Sequence, residues 1–101
     1  MYFNDQVYTL CRTIPKGKVT TYKRIAEALG SKAYRAVGNA LNKNPYAPEV
    51  PCHRVVASTG HLHGFAHGLD AKQRLLEQEG IVIVKSKIVD LEKVLYRFDG
   101  E

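Results

Sequence analysis

The chain has 101 residues, 45% of them hydrophobic and 25% charged, with a formal net charge of +5. That size allows one modest core and excludes several domains, and the composition excludes a disordered chain. No apolar run approaches the ~20 residues that span a bilayer; the longest, Ile81 to Val84, is strand-sized, and the opening MYFNDQVYTL lacks a basic start followed by an apolar block, so an intracellular protein is expected, in cytoplasm, nucleoid or a eukaryotic nucleus.

In chain order, Phe3, Val7, Leu10, Cys11 and Ile14 recur at helical spacing and predict a first helix, N-capped by Asn4 and stopped by Pro15, with Cys11 facing the core. Pro15-Lys16-Gly17-Lys18 predicts a turn. Thr20 or Thr21 caps a second helix with Ile25, Ala26 and Leu29 on one face and Gly30 at its C′ position. Ser31 caps a third, with Ala36, Val37, Ala40 and Leu41 inward, ending at Asn44-Pro45. Two short helices across a tight glycine-containing turn form a helix-turn-helix pattern, although any antiparallel helix pair reads alike. Residues 16 to 54 hold eight basic residues and two acids, a net of +6. On charge alone a polyanion partner and a solvated basic face read alike; on a helix pair of this pattern the enrichment points toward DNA binding.

Residues 44–51, NPYAPEVP, hold three prolines and predict a rigid, extended connector leading to Cys52. Residues 57–68 form a loop rich in glycine and histidine. Leu69 to Glu79 predicts a helix burying Leu69, Leu75 and Leu76 and ending at Gly80, followed by a short strand at Ile81 to Val84. Asp90 to Tyr96 fits either a helical turn or a strand.

Cys11 and Cys52 are the two cysteines; free thiols are expected of both, and without a C-x-x-C pair no zinc site is expected. His61, His63 and His67 read as loop histidines, not ligands. A thiol attacks as thiolate and needs a base, a cation or hydrogen bonds to act near neutral pH. His53 and Arg54 adjoin Cys52, and Pro51 is placed to start a helical turn there. A Cys-His dipeptide alone does not distinguish this from an inert buried cysteine.

Taken together, RAVGNALNKNPYAPEVPCHRVVASTGHLHGFAHGLDAKQRLLEQEG (residues 35–80), with IPKGKVTTYKRIAEALG upstream, closely resembles the active-site domain of O6-alkylguanine-DNA alkyltransferases. The order and spacing of RAVG, NP, PCHRVV, the glycine-rich loop and K-x-x-LL-x-x-EG carry the resemblance. It implies a mainly α, winged-helix-like (helix-turn-helix) domain with short β elements, and suicidal transfer of an alkyl group from O6-alkylguanine in double-stranded DNA to Cys52 after base flipping. In this resemblance His53 is the base, acting through a water, Glu79 orients it, and Asn44 braces the active-site turn. Tyr22 presses on the target phosphate and protonates guanine N3, and Arg35 fills the gap left in the stack. Thr21, Ala36 and Lys43 accompany Arg35 and Tyr22 on the DNA-binding face, in the minor groove. Pro51, Val55, Phe65 and Ala66 line the pocket; the carbonyls of Cys52 and Val55 read the exocyclic amine, and the Ala66 N–H faces O6. No cofactor and no metal is implied, and a monomer is expected. Phe65 stands where the family often has tyrosine, and His67 where it often has glycine.

Family members usually carry an N-terminal domain. Here residues 1–101 are expected to form a single DNA-binding and active-site domain without it. Single-domain alkyltransferase-like proteins, which usually carry tryptophan in place of the acceptor cysteine, supply the alternative: recognition of alkylated guanine without efficient transfer.

Overall fold

The computed structural model describes residues 2–46, 49–62 and 68–98. Helix α1 spans Phe3–Arg12, strand β1 Thr20–Thr21, α2 Tyr22–Ala28 and α3 Tyr34–Asn42; a 3-10 turn at Cys52–Arg54 leads into β2, Val55–Val56. Helix α4 (Leu69–Gln78), a hairpin of β3 (Ile83–Val84) and β4 (Lys87–Ile88), and one helical turn, α5 (Leu91–Val94), complete it. This is the mainly α, helix-turn-helix domain with short strands that the sequence pattern anticipates.

Local chemistry sets most helix ends. Thr21 is extended, and its hydroxyl accepts the Arg24 N–H at 3.1 Å, the expected N-cap of α2. At the other end Gly30 takes φ +70°. The Gly30 N–H bonds Glu27 O at 2.9 Å and the Ser31 N–H bonds Ala26 O at 2.9 Å, the paired bonds of a Schellman cap. The Pro15 turn is closed by the Lys18 N–H on Pro15 O at 3.1 Å.

Two expected caps are not used. Asn4 lies inside α1, whose N-cap is the extended Tyr2 with no side-chain bond. Ser31 instead accepts the Ala33 N–H at 3.0 Å in a local serine turn, which delays α3 until Tyr34, with Ala33 as its N-cap. A side chain that bonds two residues ahead holds a turn, not a helix start. The connector is not extended either: the Val50 N–H reaches back to Tyr46 O at 3.0 Å, folding it into a closed loop. Of the residues expected to be buried on α4, Leu76 is, Leu75 is half-buried, and Leu69, at the helix's first position, is 45% exposed.

β1 pairs with β2 in parallel, Thr20 opposite Val55 and Thr21 opposite Val56. Successive strand residues point to opposite faces, so Val55 enters the core of α1, α2 and α3 with Val7, Ile25 and Val37, and Val56 enters a second cluster with Val19, Leu76 and Ile81. Two adjacent valines thus join both halves of the core, directly after the 3-10 turn that begins at Cys52. The C-terminal segment does both things its sequence allows: the α5 turn gives way to a bridge of Leu95 onto Val19. The β3–β4 hairpin turns through Lys85 and Ser86, both left-handed (φ 53° and 61°), the geometry of a tight two-residue hairpin.

Candidate active site

Pro51 shapes the turn that carries the thiol. Its φ of −81° and ψ of 70° are those of an inverse γ-turn, and the Cys52 N–H accordingly bonds Val50 O at 2.8 Å. The same Val50 carbonyl accepts Asn44 Nδ2 at 2.9 Å, while Asn44 Oδ1 accepts the Tyr46 N–H at 2.9 Å. Asn44 therefore ties the start of the connector to its end. The Arg54 N–H on Pro51 O at 2.9 Å closes the 3-10 turn. Cys52 is left 8% exposed and His53 4%, so both are buried. Cys11 is fully buried and free, as expected; burial, helped by the charge of Cys52, pushes its pKa up to about 12.

Glu79 comes to His53 from α4. It is the C-cap residue of that helix, and Gly80 (φ +91°) reverses the chain with the Gly80 N–H on Glu77 O and the Ile81 N–H on Leu76 O, a second Schellman cap. His53 Nε2 lies 2.9 Å from Glu79 Oε2. Arg54 grips the same carboxylate with Nε at 2.9 Å and Nη2 at 2.7 Å, and its Nη1 bonds Ile14 O at 2.8 Å. Burial pushes the Glu79 pKa up, but the hydrogen bonds from Arg54 and His53 outweigh it and hold the carboxyl below its ordinary value. For His53 burial dominates and lowers the pKa, against the opposing pull of Glu79. The imidazole is therefore neutral near pH 7. With Nε2–H committed to Glu79, Nδ1 is the nitrogen left to take a proton.

Lys72 completes the site, and sequence reasoning missed it. It is fully buried on α4, with Nζ 2.5 Å from Val55 O, 3.4 Å from Tyr22 Oη and 5.7 Å from the Tyr22 ring centre. Burial lowers its pKa to about 8, although the charge of Cys52 pulls the other way; it stays mostly protonated at neutral pH. Burial first, then the charge of Cys52, pushes the Tyr22 phenol up to about 12, so it keeps its proton near neutral pH and can still accept from Lys72. The signal in the sequence was the spacing 72, 76, 79, which puts a lysine on the apolar face of α4. Arg54 was noted only as a neighbouring cation; nothing local announced its bidentate grip on Glu79.

The structure thus brings Cys52, His53, Glu79, Tyr22 and Val55 together, braced by Asn44 and Pro51. Arg35 and Lys43 are exposed, at the start and end of α3; Ala36 is half-buried, and Thr21 is buried as the α2 cap. The Cys52 and Val55 carbonyls already accept the Val55 N–H and Lys72 Nζ respectively, each keeping its second lone pair. Phe65 and Ala66, like His63 and His67, lie outside the described residues. Among the described residues no three His, Cys, Asp or Glu side chains cluster as metal ligands would, and no helix is long and apolar enough to cross a membrane.

Residues 2–81 match the family model of the DNA-binding domain of 6-O-methylguanine DNA methyltransferase. The chain is 50% identical over 78 residues to a methylated-DNA–protein-cysteine methyltransferase of Methanosarcina barkeri, covering 76% of this chain and 49% of that protein. It is 51% identical over 81 residues to the Metallosphaera sedula protein of that name, covering 80% and 51%. The chain spans about half the length of these curated relatives. Among solved structures it is similar to S. pombe Atl1 in complex with damaged DNA containing O6-carboxymethylguanine, with a TM-score of 0.83, 30% identity and 94% of each chain covered. Mycobacterium tuberculosis OGT in complex with DNA gives a TM-score of 0.75 at 42% identity, covering 78% of this chain and 50% of that one.

Proposed function

Because the chain belongs, through residues 2–81, to the 6-O-methylguanine DNA methyltransferase family, we propose that it repairs DNA by transferring an alkyl group from O6 of guanine to Cys52, once per molecule. The observation that carries this reading is the retained thiol of Cys52 next to a neutral His53 held by Glu79 at 2.9 Å. An O6-alkyl group within a duplex is out of reach, so the nucleotide is extruded first, at a cost of a few kcal/mol that is smallest for a poorly paired base. Arg35, exposed at the start of α3, occupies the vacated place in the stack. His53 Nδ1 takes the thiol proton through a bridging water. The Cys52 Sγ–alkyl bond forms as the O6–alkyl bond breaks, and Tyr22 delivers a proton to guanine N3, so guanine departs neutral. Lys72, 3.4 Å from Tyr22 Oη, stabilises the phenolate left behind and returns its proton. The product thioether has no route back to a thiol within the protein. The partner is double-stranded DNA held mainly by its phosphates, and the protein acts inside the cell, where that DNA is.

Incubation with duplex DNA carrying labelled O6-methylguanine, followed by digestion, tests this. The label is expected on the peptide containing Cys52 in a 1:1 ratio, and label elsewhere or nowhere overturns the reading. The end-to-end similarity to S. pombe Atl1 favours one second reading: recognition of alkylated guanine without transfer. It predicts selective binding that survives Cys52→Ser and no label on protein.

A further inference from the structure

Outside the buried site, one concave feature joins the helix pair to the segment after β2. It is a groove of about 480 Å³ lined, among the described residues, by Tyr22, Lys23, Tyr34, Ala57 and Ser58. That volume lies within the ~300–1,000 Å³ typical of sites that take small molecules or their fragments. Tyr22 is shared with the reaction site, where its hydroxyl meets Lys72. Tyr34 is the residue before Arg35 and is 54% exposed. A large ring left that open adds little to the core. Its place at the head of α3 is fixed by the turn before it, in which the Tyr34 N–H bonds Lys32 O at 2.9 Å. Two aromatic rings, an exposed lysine and the serine of the Ala57–Ser58 wall thus bound one groove, and Tyr22, Lys23 and Tyr34 belong to the stretch 16–54 that carries a net charge of +6.

We propose that Tyr34 is a positioning residue for the extruded nucleotide: its ring lines the groove together with Tyr22 and holds the unstacked nucleotide there, with Lys23 on the adjoining phosphate. A π face accepts any base, so the contact favours unstacked nucleotides without reading sequence. The lysine and the positive stretch supply the charge complementarity that selects a nucleotide over an uncharged aromatic ligand. The inference rests on the base-extrusion reading above.

The test compares wild type, Tyr34→Ala and Tyr34→Phe on two short duplexes, one fully paired and one holding a single unpaired 2-aminopurine nucleotide. Affinity is read by anisotropy and unstacking by 2-aminopurine emission. Wild type is expected to prefer the unpaired duplex and to raise its emission. Tyr34→Ala should lose about tenfold in affinity for the unpaired duplex and less than about twofold for the paired one, within the range that removal of one stacking partner costs. Tyr34→Phe should stay within about twofold of wild type on both, because the ring and not the hydroxyl stacks. A surface substitution of this kind leaves thermal stability nearly unchanged, so a folding defect is recognised separately by calorimetry. Equal losses on both duplexes, or none on the unpaired one while wild type keeps its preference, overturn the role of Tyr34 alone. A wild type that does not distinguish the duplexes overturns the extrusion reading and this inference with it.

Discussion

His53 and Lys72 are buried bases whose charged forms the fold disfavours, and they titrate on either side of neutrality. Because the His53 pKa is lowered, mainly by burial, transfer should hold its rate below the ordinary histidine range and fail only as pH drops through that lowered value. Glu79 is what pulls the His53 pKa back up. In Glu79→Gln the acid limb should therefore move to still lower pH. The plateau rate should drop by roughly tenfold or more, because the base is weaker and less firmly oriented. DNA affinity should change little. Single-turnover rates across pH check this; an acid limb displaced to higher pH contradicts it. Lys72 gives a stability prediction of opposite reach. Its pKa is about 8 in the folded protein against an ordinary 10.5. Between those values the unfolded chain holds a proton that the folded one has released, so this group adds stability as pH rises. Cys11 and Tyr22, both pushed up to about 12, act in the opposite sense above their ordinary values of 9.0 and 10.0. The difference between wild type and Lys72→Met isolates the lysine. It should move in favour of wild type by on the order of 3 kcal/mol between pH 8 and 10.5, as read by denaturant unfolding.

At the scale of elements, helix ends aim the chemistry. Gly80 holds φ +91° in open space, so Gly80→Ala meets no clash and measures backbone strain alone. It should cost about 1–2 kcal/mol, lowering Tm by roughly 4–8 °C per kcal/mol for a domain of this size, as calorimetry reads it. The same cap presents Glu79 to His53 and Arg54, so transfer should slow in the folded variant too. On α3, Arg35→Ala should slow transfer from duplex DNA by roughly tenfold or more while sparing an alkylated single strand, since only the duplex must be held open; an unchanged duplex rate contradicts the assignment. The ends of α2, the Pro15 turn and the Gly80 reversal were legible because each is decided within a few residues. The caps at Asn4 and Ser31 were misread for the same reason. α1 and α3 start instead at Tyr2 and Ala33 without side-chain caps, because tertiary packing of the apolar face sets the frame and a nearby polar side chain can hold a local turn instead.

For the whole molecule, charge is the long-range signal. Eight basic residues between positions 16 and 54 predict DNA affinity that falls linearly on a log–log plot against salt. Replacing the exposed Lys43 with alanine should lower the slope by about one and weaken binding to all sequences alike, as anisotropy titrations at several salt concentrations would read. Arg54 counts toward the charge of that stretch but belongs to a different function: three of its donors are spent on Glu79 and Ile14, so it faces inward. The two core clusters meet at Val55 and Val56. A single fold thereby anchors the turn carrying the thiol to both the helix pair and the α4 reversal.

By itself the sequence determined the four longer helices, the turns at Pro15, Gly30 and Gly80, the basic helix pair and, through the resemblance carried by the order and spacing around PCHRVV, the family. Each follows from signals spanning three to seven residues, or from a motif whose order is preserved along the chain. Only the tertiary structure decided that Arg54 and His53 share one carboxylate 25 and 26 residues away, that Asn44 closes the connector into a loop, and that a buried Lys72 stands between Tyr22 and Val55. Those contacts depend on β1 pairing with β2 and on how α4 packs against the 3-10 turn. Packing of distant surfaces leaves no periodicity in the local sequence; a lysine in the register of an apolar face was its one visible trace.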